Sequence, residues 1–253
     1  MAQAFYDLTV AASQRVSPSM HQITLAGEAL RDFPQAQDGG YFKLILEKGG
    51  LLKKDLMRTY TIRRQRETEI DVLFALHGDH AAGPATSWAL GANIGDPMTI
   101  RGPGPAKPSP ETCGFYLIAG DMSALPAISA NLEAMDRDAK GVAVLEIQHE
   151  EDAVRIDAPK GLELRWIVNR EPGHHPELLV NALREVELPQ VEVAGWAACE
   201  FEGMKKLRAF LREELGIAPR NLYTSSYWKL GLNETEHKVV KRKDAMTQDV
   251  PIA

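Results

Sequence analysis

The segment Arg58-Thr59-Tyr60-Thr61-Ile62-Arg63 carries residue types that can hold a large ligand. Its β-branched and aromatic residues favour a strand. Because side chains alternate faces along a strand, Arg58 and Tyr60 share one face, and Thr59, Thr61 and Arg63 share the other. A guanidinium offers phosphate a planar fork, a tyrosine packs on a ring, and threonine hydroxyls and amides reach the ring's polar edge. The segment therefore predicts a site for a large, flat, phosphate-bearing molecule.

A second stretch with ligand-binding chemistry runs His77-Gly78-Asp79-His80-Ala81-Ala82-Gly83-Pro84-Ala85-Thr86-Ser87-Trp88. Small residues after Gly83 allow close backbone approach, and we expect Thr86 or Ser87 to cap a short helix that runs through Trp88. The free amides and the dipole of a helix start attract phosphate. A capped surface helix is the alternative, and Arg58 upstream favours phosphate binding.

His77 is either a cofactor-side residue or a hydrogen-bonded structural residue. Its spacing from His80 would suit a metal, but no carboxylate or thiolate nearby completes a ligand set. We therefore predict no metal site. The sequence also lacks a catalytic triad or a paired-carboxylate motif, so we predict no residue that acts by acid–base chemistry.

The second half of the chain alternates buried strands with helices, which predicts a doubly wound parallel sheet. Such sheets bind ligands beyond the carboxyl ends of their strands. Asp121 follows one strand, and Glu200 ends another. The sequence has no Gly-x-Gly-x-x-Gly, so the usual dinucleotide fingerprint is missing. Asp121 is either a ligand-facing residue or a strand-to-helix turn residue.

A helix that starts near Asn233 carries Lys238, Lys241 and Arg242 at spacings of three and four residues, which predicts one cationic face. One interpretation is a solvated helix end whose basic residues complement the helix dipole. The other is a docking surface for anions, to which Lys53 and Lys54 would contribute. The tail after Asp244 is expected to be disordered.

The first half of the chain contains short strand-like segments and no long amphipathic helix, which predicts an antiparallel barrel or sandwich. The proline-punctuated residues 106–110 mark a domain boundary. The sequence thus predicts domains over residues 1–110 and 111–253. The predicted strands of the first domain cover residues 4–12, 20–26, 40–47, 58–63, 69–76 and 96–101.

Composition limits the class of protein. The 253 residues are 44% hydrophobic and carry a formal charge of −6, so we expect no nucleic-acid partner. No apolar run reaches the length of a membrane span, and no signal peptide is recognised at the start. The two cysteines, Cys113 and Cys199, are expected to be reduced thiols of a cytoplasmic protein, and we expect a monomer.

The ordered set of motifs resembles the siderophore-interacting proteins of the ferredoxin reductase superfamily. The resemblance covers nearly the whole chain. Met122-Ser123 stands where that family usually has an acidic residue and threonine, and Cys199 stands where glycine is usual, which leaves the electron donor open. The motifs are Arg58-x-Tyr60-Thr61-x-Arg63, His77 with Gly83-Pro84-Ala85-x-x-Trp88, Gly102-Pro103-Gly104, Ala119-Gly120-Asp121-x-x-Ala124-Leu125-Pro126-Ala127-Ile128, and Trp196-Ala197-Ala198-x-Glu200 followed by Tyr227-Trp228.

The resemblance implies a six-stranded barrel that binds FAD, followed by an α/β domain of the nicotinamide-binding type. It implies that Arg58 and the segment Gly83–Ser87 hold the pyrophosphate, that Tyr60 lies against the isoalloxazine, and that Thr61 contacts its reactive edge. The remaining implied cofactor-side residues are Thr59, Arg63, His77, Trp88, Asp121, Glu200, Tyr227 and Trp228.

The implied activity is the reduction of a ferric siderophore with electrons from NAD(P)H or ferredoxin, which releases ferrous iron in the cytoplasm. Lys53, Lys54, Lys238, Lys241 and Arg242 would attract the anionic chelate. Two alternatives stay open at this point. One is a general flavin, quinone or ferredoxin reductase of the same superfamily, and the other is a siderophore carrier without redox turnover.

Overall fold

The computed structural model describes residues 4–50, 55–76 and 83–248. Within these ranges the chain forms twelve strands and five α-helices. The strands are β1 (Ala4–Ser17), β2 (Met20–Ala26), β3 (Tyr41–Glu47), β4 (Leu56–Thr61), β5 (Arg64–Gln65), β6 (Glu69–Ala75), β7 (Pro97–Gly104), β8 (Phe115–Gly120), β9 (Lys140–Ile147), β10 (Gly161–Val168), β11 (Val193–Glu200) and β12 (Leu222–Trp228).

The described residues form fewer helices than strands. Helix α4 continues into a π-helical turn at Phe210–Glu214, and α5 extends beyond the predicted end of order at Asp244. The expectation of a disordered tail after Asp244 is therefore wrong for residues 245–248, which are helical. The helices are α1 (Pro84–Gly91), α2 (Leu125–Ala134), α3 (Leu178–Arg184), α4 (Phe201–Ala209) and α5 (Glu234–Gln248).

The chain divides into two compact units. The first comprises residues 1–108, 125–137 and 148–159, and the second comprises residues 109–124, 138–147 and 160–253. Helix α2 and the segment 148–159 therefore belong with the first unit although they follow the proline-rich boundary in sequence. The domain limits of residues 1–110 and 111–253 stay a prediction.

The first unit contains a seven-stranded antiparallel sheet in the order β4-β3-β7-β1-β2-β6-β5. Its inward side chains bury one core, in which Ile23, Phe42 and Phe74 are fully buried. The predicted class is confirmed, and the seventh strand is the two-residue β5, which is too short for a sequence pattern to reveal. Strand β4 comes first in this order and therefore lies at one edge of the sheet. In this order, the predicted ligand segment has a neighbouring strand, β3, on one side only.

The second unit contains a parallel sheet in the order β10-β9-β8-β11-β12. Apolar residues of β8, β9 and β11 pack against α3 and α4 in one core. The parallel pairing of these strands confirms the predicted sheet. The prediction was possible because strands buried on both faces have continuous apolar sequences. Within the described ranges, no helix combines the length and apolar sequence needed to cross a bilayer.

Asp152 fastens the segment 148–159 to the hairpin of β1 and β2. Its fully buried carboxylate accepts hydrogen bonds from Ser17 Oγ at 2.6 Å, Ser19 N at 2.7 Å and His149 N at 2.9 Å. Burial raises the pKa of this carboxyl, but the hydrogen bonds outweigh burial and leave the pKa below its ordinary value. Asp152 therefore stabilises the first unit as an anion.

We predict that Asp152→Ala lowers the free energy of unfolding by about 3–5 kcal/mol, because each buried donor left unpaired costs about 1–3 kcal/mol. Urea unfolding at pH 7 measures this. Since the folded-state pKa is lowered, the contribution is present above the ordinary aspartate pKa of 3.8 and is lost as the pH falls through the folded-state pKa.

The matched control is Asp157→Ala in the same segment. Asp157 pairs with Arg137 at 2.6 Å, but the two side chains are 72% and 59% exposed. An exposed pair contributes about 0–1 kcal/mol. Equal losses in the two variants would contradict the anchoring role of Asp152.

Candidate functional site

Strand β4 presents the predicted ligand segment on the edge of the antiparallel sheet. Its register places Tyr60 opposite Phe42 and Arg58 opposite Leu44 on β3. Thr59 is exposed, whereas Arg58, Tyr60 and Thr61 are half-buried. The alternation therefore separates Arg58 and Tyr60 from Thr59 and Thr61, as the sequence predicts.

Tyr60 rests on a stack of aromatic rings. Its ring lies 4.3 Å from the buried Phe74 ring, and Phe74 lies 5.9 Å from Trp88 in α1. The half-buried Tyr60 and Trp88 rings both pack against the barrel core. The Tyr60 ring packs against the buried Phe74 ring, which limits its movement. Tyr60 therefore offers a fixed ring plane against which a flat ligand can lie.

The start of α1 fits a phosphate group. Gly83 is the N-cap and Pro84 is the first helical residue. Among the described residues, no side chain caps the helix and no acidic residue lies in its first turn. A Cβ atom added at Gly83 would meet nothing within 4 Å, so the backbone is approachable there. The expected capping by Thr86 or Ser87 is wrong, because both residues lie inside the first turn. The uncapped amides are the groups that bind anions.

Arg63 has a protein partner. Its guanidinium forms a two-pronged pair with Glu133 of α2, with Nη1–Oε2 at 3.0 Å and Nη2–Oε1 at 2.5 Å, and both side chains are about one-fifth exposed. Arg63 lies beyond the end of β4 and ties that end to α2 within the first unit. A cofactor role for Arg63 stays a prediction.

Three predicted residues, His77, Lys53 and Lys54, lie outside the residues that the structure describes. The predictions for them stand as made. Within the described ranges, no cluster of three or more His, Cys, Asp or Glu side chains is arranged to hold a metal ion.

In the second unit, Asp121 joins the ends of three strands. Its Oδ1 accepts hydrogen bonds from Ser123 N and Oγ, and its Oδ2 accepts from Glu200 N at 2.9 Å and Trp228 Nε1 at 2.7 Å. The four donors come from the turn after β8 and from the ends of β11 and β12. The carboxylate is 6% exposed and its lone pairs are largely occupied by the protein. We name this hydrogen-bonded group of Asp121, Glu200 and Trp228 the strand-end latch.

Glu200 serves as the N-cap of α4. Its Oε2 accepts from Glu202 N at 2.5 Å and Gly203 N at 3.3 Å, and its Oε1 accepts from Leu230 N at 3.2 Å. A carboxylate at a helix N-terminus is stabilised by the free amides and the dipole. The structure brings Glu200 and Asp121 together at the strand ends and gives both of them hydrogen-bonding partners within the protein. Their cofactor roles stay predictions.

Trp228 is covered by a glycine loop. A Cβ atom at Gly173, whose φ is +82°, would lie 2.8 Å from the Trp228 ring, so glycine is required on both counts. The neighbouring Tyr227 has its pKa raised well above the usual range, first by burial and then by Tyr223. Tyr227 and Trp228 are therefore packed residues of β12 in this structure.

Cys199 is buried, with 2% of its surface exposed, and its thiol donates to the carbonyl oxygen of Glu200 at 3.4 Å. Burial raises the pKa of this thiol well above its usual value, and the carboxylates of Asp121, Glu146 and Glu200 add to the effect. The thiol is therefore a weak nucleophile, because reactivity requires the thiolate.

Helix α5 divides its cations between two surfaces. Lys241 Nζ donates to Ser225 Oγ at 2.7 Å and Ser226 O at 2.8 Å, and burial lowers the pKa of this amine. Lys238 pairs with Glu234 on the exposed side, and Arg242 is exposed. Lys241 therefore faces β12, and the single cationic face predicted from the spacing is reduced to Lys238 and Arg242.

Sequence reasoning missed Glu146 and His237. His237 is 4% exposed, its Nε2 lies 2.8 Å from Ser226 Oγ, and burial followed by Lys241 lowers its pKa. Glu146 is a carboxylate that follows the apolar residues 142–145 of β9. A lone carboxylate in such a run is the signal that could have identified Glu146.

Comparison with known proteins gives family matches over both units. Residues 114–231 match the model described as siderophore-interacting protein, and residues 9–55 and 52–107 match the siderophore-interacting FAD-binding domain. The chain is 34% identical over 239 residues to the ferric vibriobactin reductase ViuB of Vibrio cholerae serotype O1, and the alignment covers 87% of each chain.

Solved structures give the same result. The siderophore-interacting protein SipS from Aeromonas hydrophila aligns with a TM-score of 0.83 at 33% identity, over 97% of this chain and 99% of that one. The ferredoxin reductase of carbazole 1,9a-dioxygenase aligns with a TM-score of 0.67 at 17% identity, over 88% and 69% of the two chains. The second likeness concerns the fold alone.

We predict that Asp121→Asn loosens the strand-end latch. An amide group has two acceptor sites fewer than a carboxylate, because an NH₂ group replaces one oxygen. The NH₂ group that the substitution introduces would face hydrogen-bond donors and leave them unpaired. Each buried donor left unpaired costs about 1–3 kcal/mol. The expected loss in the free energy of unfolding is about 2–4 kcal/mol. Acrylamide quenching of tryptophan fluorescence should increase, because the Trp228 indole loses its acceptor.

The control is Glu187→Gln, an exposed change of the same chemistry in the same unit. We expect it to leave both measurements unchanged. If Asp121→Asn matches this control, the latch does not hold Trp228.

Proposed function

The chain belongs to the siderophore-interacting protein family, and from this premise we propose that it reduces ferric siderophores, using bound FAD and electrons from NAD(P)H or ferredoxin. The chain is an FAD-dependent oxidoreductase with the family's FAD-binding domain in its first half. The named activity of the Vibrio cholerae relative supports the choice of a ferric siderophore as substrate. Release of ferrous iron in the cytoplasm is part of the proposal.

The observation that carries the proposal is the pairing of the β4 edge with the uncapped start of α1 in one unit. Arg58 and Tyr60 share a face of β4, and a stack of rings connects Tyr60 to Trp88 of α1. A guanidinium and free helix amides bind diphosphate, and a supported ring binds a flat heterocycle. The residues present therefore fit FAD.

When bound, FAD supplies the step that accepts two electrons from a donor and passes them singly to ferric iron. The protein's own residues bind and orient. Arg58, the segment Gly83–Ser87 with the N–H groups of Ala85 and Thr86, and the half-buried Trp88 would hold the diphosphate end. Tyr60, Thr59 and Thr61 would hold the ring end. The chemistry requires no protein acid, base or nucleophile, which agrees with a buried, protonated Cys199.

Substrate attraction in this proposal depends on charge. Siderophore chelates of ferric iron are often anionic, and exposed cations raise the local concentration of an anion. Lys238 and Arg242 on the outer side of α5 serve this role, together with Lys53 and Lys54. Lys241 contributes to the helix's docking on β12 rather than to an exposed surface.

The electron donor is proposed at the level of NAD(P)H or ferredoxin. The strand ends of the parallel sheet are the expected place for a nicotinamide. At these ends, Asp121 and Glu200 are already engaged with Trp228, Leu230 and the start of α4. A nicotinamide that bound there would have to displace part of the strand-end latch. Stopped-flow reduction with NADH, NADPH and reduced ferredoxin distinguishes the donors.

We predict that Arg58→Ala weakens FAD binding by about 10- to 100-fold, because a hydrogen bond to a charged group contributes about 1.5–3 kcal/mol. Titration of the flavin-free protein with FAD, followed by flavin fluorescence, measures the Kd. The control is Arg64→Ala, which removes a guanidinium that is 55% exposed and 3.4 Å from Glu133. A protein that binds no FAD overturns the proposed function, and equal Kd values for both variants remove Arg58 from the site.

We predict that the double variant Lys238→Glu/Arg242→Glu lowers kcat/KM for an anionic ferric chelate about tenfold at low salt, with kcat unchanged. The effect should shrink as salt rises, because the Debye length falls to about 8 Å at 0.15 M. Anaerobic turnover with a ferrous-specific chromogenic chelator measures the rate. A neutral ferric chelate should show no difference between the variants.

The charge-matched control is Lys140→Glu/Lys160→Glu, where both lysines are exposed at the start of β9 and just before β10. The same loss in this control would assign the effect to net charge alone. Tight chelate binding without ferrous iron would identify a carrier. Turnover of free flavin in preference to any ferric chelate would identify a general reductase.

A further inference from the structure

Glu146 lies at the strand ends of the parallel sheet. It is the next-to-last residue of β9, and its side chain lines a cavity with Asp121, His175, Cys199 and Glu200. The cavity measures about 10 Å³, which is room for about one water molecule. Glu146 therefore faces other protein groups and not a ligand-sized space.

The three carboxyl groups around this cavity differ in how many hydrogen bonds they accept. Asp121 accepts four, and Glu200 accepts three from backbone amides. Among the described residues, Glu146 receives one hydrogen bond, from Asn169 Nδ2 to Oε1 at 2.9 Å. Asn169 is itself buried and is held by the carbonyl oxygen of Ile147.

Hydrogen bonds and neighbouring charge decide which carboxyl group takes up a proton. A carboxylate that accepts several donors is stabilised as an anion, whereas one with few donors beside other anions is not. Burial, followed by the charge of Asp121, raises the pKa of Glu146 to about 7. Asn169 and His175 lower the pKa less strongly than burial and Asp121 raise it, and Glu200 adds the smallest increase.

We infer that Glu146 is a positioning residue that holds a proton at the strand ends and thereby preserves the hold of Asp121 on Trp228. With the proton in place, the cluster contains two anions, and each has its own set of donors. When the proton leaves, a third anion faces Asp121 across the small cavity. Its repulsion weakens the strand-end latch.

The groups that face Glu146 come from every element around the cavity. Asp121 follows β8, Cys199 and Glu200 end β11, Asn169 follows β10, and His175 precedes α3. His175 is the cationic candidate among them, and it lies at 3.2 Å from Glu171 with about half of its side chain exposed. The variant His175→Gln is therefore the control for Glu146→Gln.

The sign of the pH effect follows from the direction of the shift. The folded-state pKa is raised from 4.5 to about 7, so the folded protein binds the extra proton. This contribution to stability is complete below pH 4.5, declines as the pH rises toward 7, and is lost above the folded-state pKa. Glu146→Gln keeps the shape and a neutral group, so it should remove this dependence.

The test is a ¹H–¹⁵N NMR titration of the FAD-loaded full chain from pH 5 to 9. The Trp228 indole N–H resonance, assigned with Trp228→Phe, reports its hydrogen bond to Asp121. We expect this resonance to shift with a midpoint near pH 7, to stay constant in Glu146→Gln, and to titrate in His175→Gln as it does in the unmodified protein.

A second measurement does not depend on any variant. The ¹³C resonance of the Glu146 side-chain carboxyl should titrate near pH 7 rather than near its ordinary 4.5. An ordinary midpoint, an indole titration that persists in Glu146→Gln, or one that disappears in His175→Gln overturns the inference. Neither readout uses turnover, so failure here leaves the proposed reductase activity untouched.

Discussion

The register of β4 on β3 is the constraint on which the proposed flavin-binding edge depends. A slip of one residue would exchange the faces of Arg58 and Tyr60 with those of Thr59 and Thr61. The turn at Gly39 and Gly40 prevents this slip, because Ile62 exchanges backbone hydrogen bonds with both glycines at 2.8 Å. Gly39 has a φ of +77°, and a Cβ at Gly40 would lie 2.8 Å from the carbonyl oxygen of Gly104. Only glycine satisfies both positions.

Local patterns predicted the elements that present the site. The alternation of β4, the helix that begins after Gly83, and the strand ends at Asp121 and Glu200 all depend on neighbours within a few residues. The partners of Arg63 and Lys241 could not be predicted in this way. Glu133 is 70 residues from Arg63, and the 60° rotation between Lys238 and Lys241 on an α-helix decides which lysine meets Ser225. Spacing shows which residues share a surface, but packing decides which surface is covered.

Buried carboxylates in this protein follow one rule. Asp152 and Asp121 are each met by several donors from separate segments, and they serve as junctions between those segments. Glu146, which is half-buried, differs from them because it has one amide donor and two neighbouring carboxyl groups. The number of donors is visible only in three dimensions, because several of them come from residues distant in sequence. Counting donors therefore separates structural anions from a carboxyl group that changes charge near neutral pH.

The strand-end latch also bears on how electrons reach such a protein. A hydride donor must place its nicotinamide ring against the flavin, whereas a protein donor of single electrons needs proximity but no shared ring contact. In the proposed function, a nicotinamide held at the strand ends would compete with Trp228 for Asp121, whereas a protein donor of single electrons would not. The hydrogen bond from Trp228 Nε1 to Asp121 at 2.7 Å is therefore the contact on which the proposed choice of donor depends.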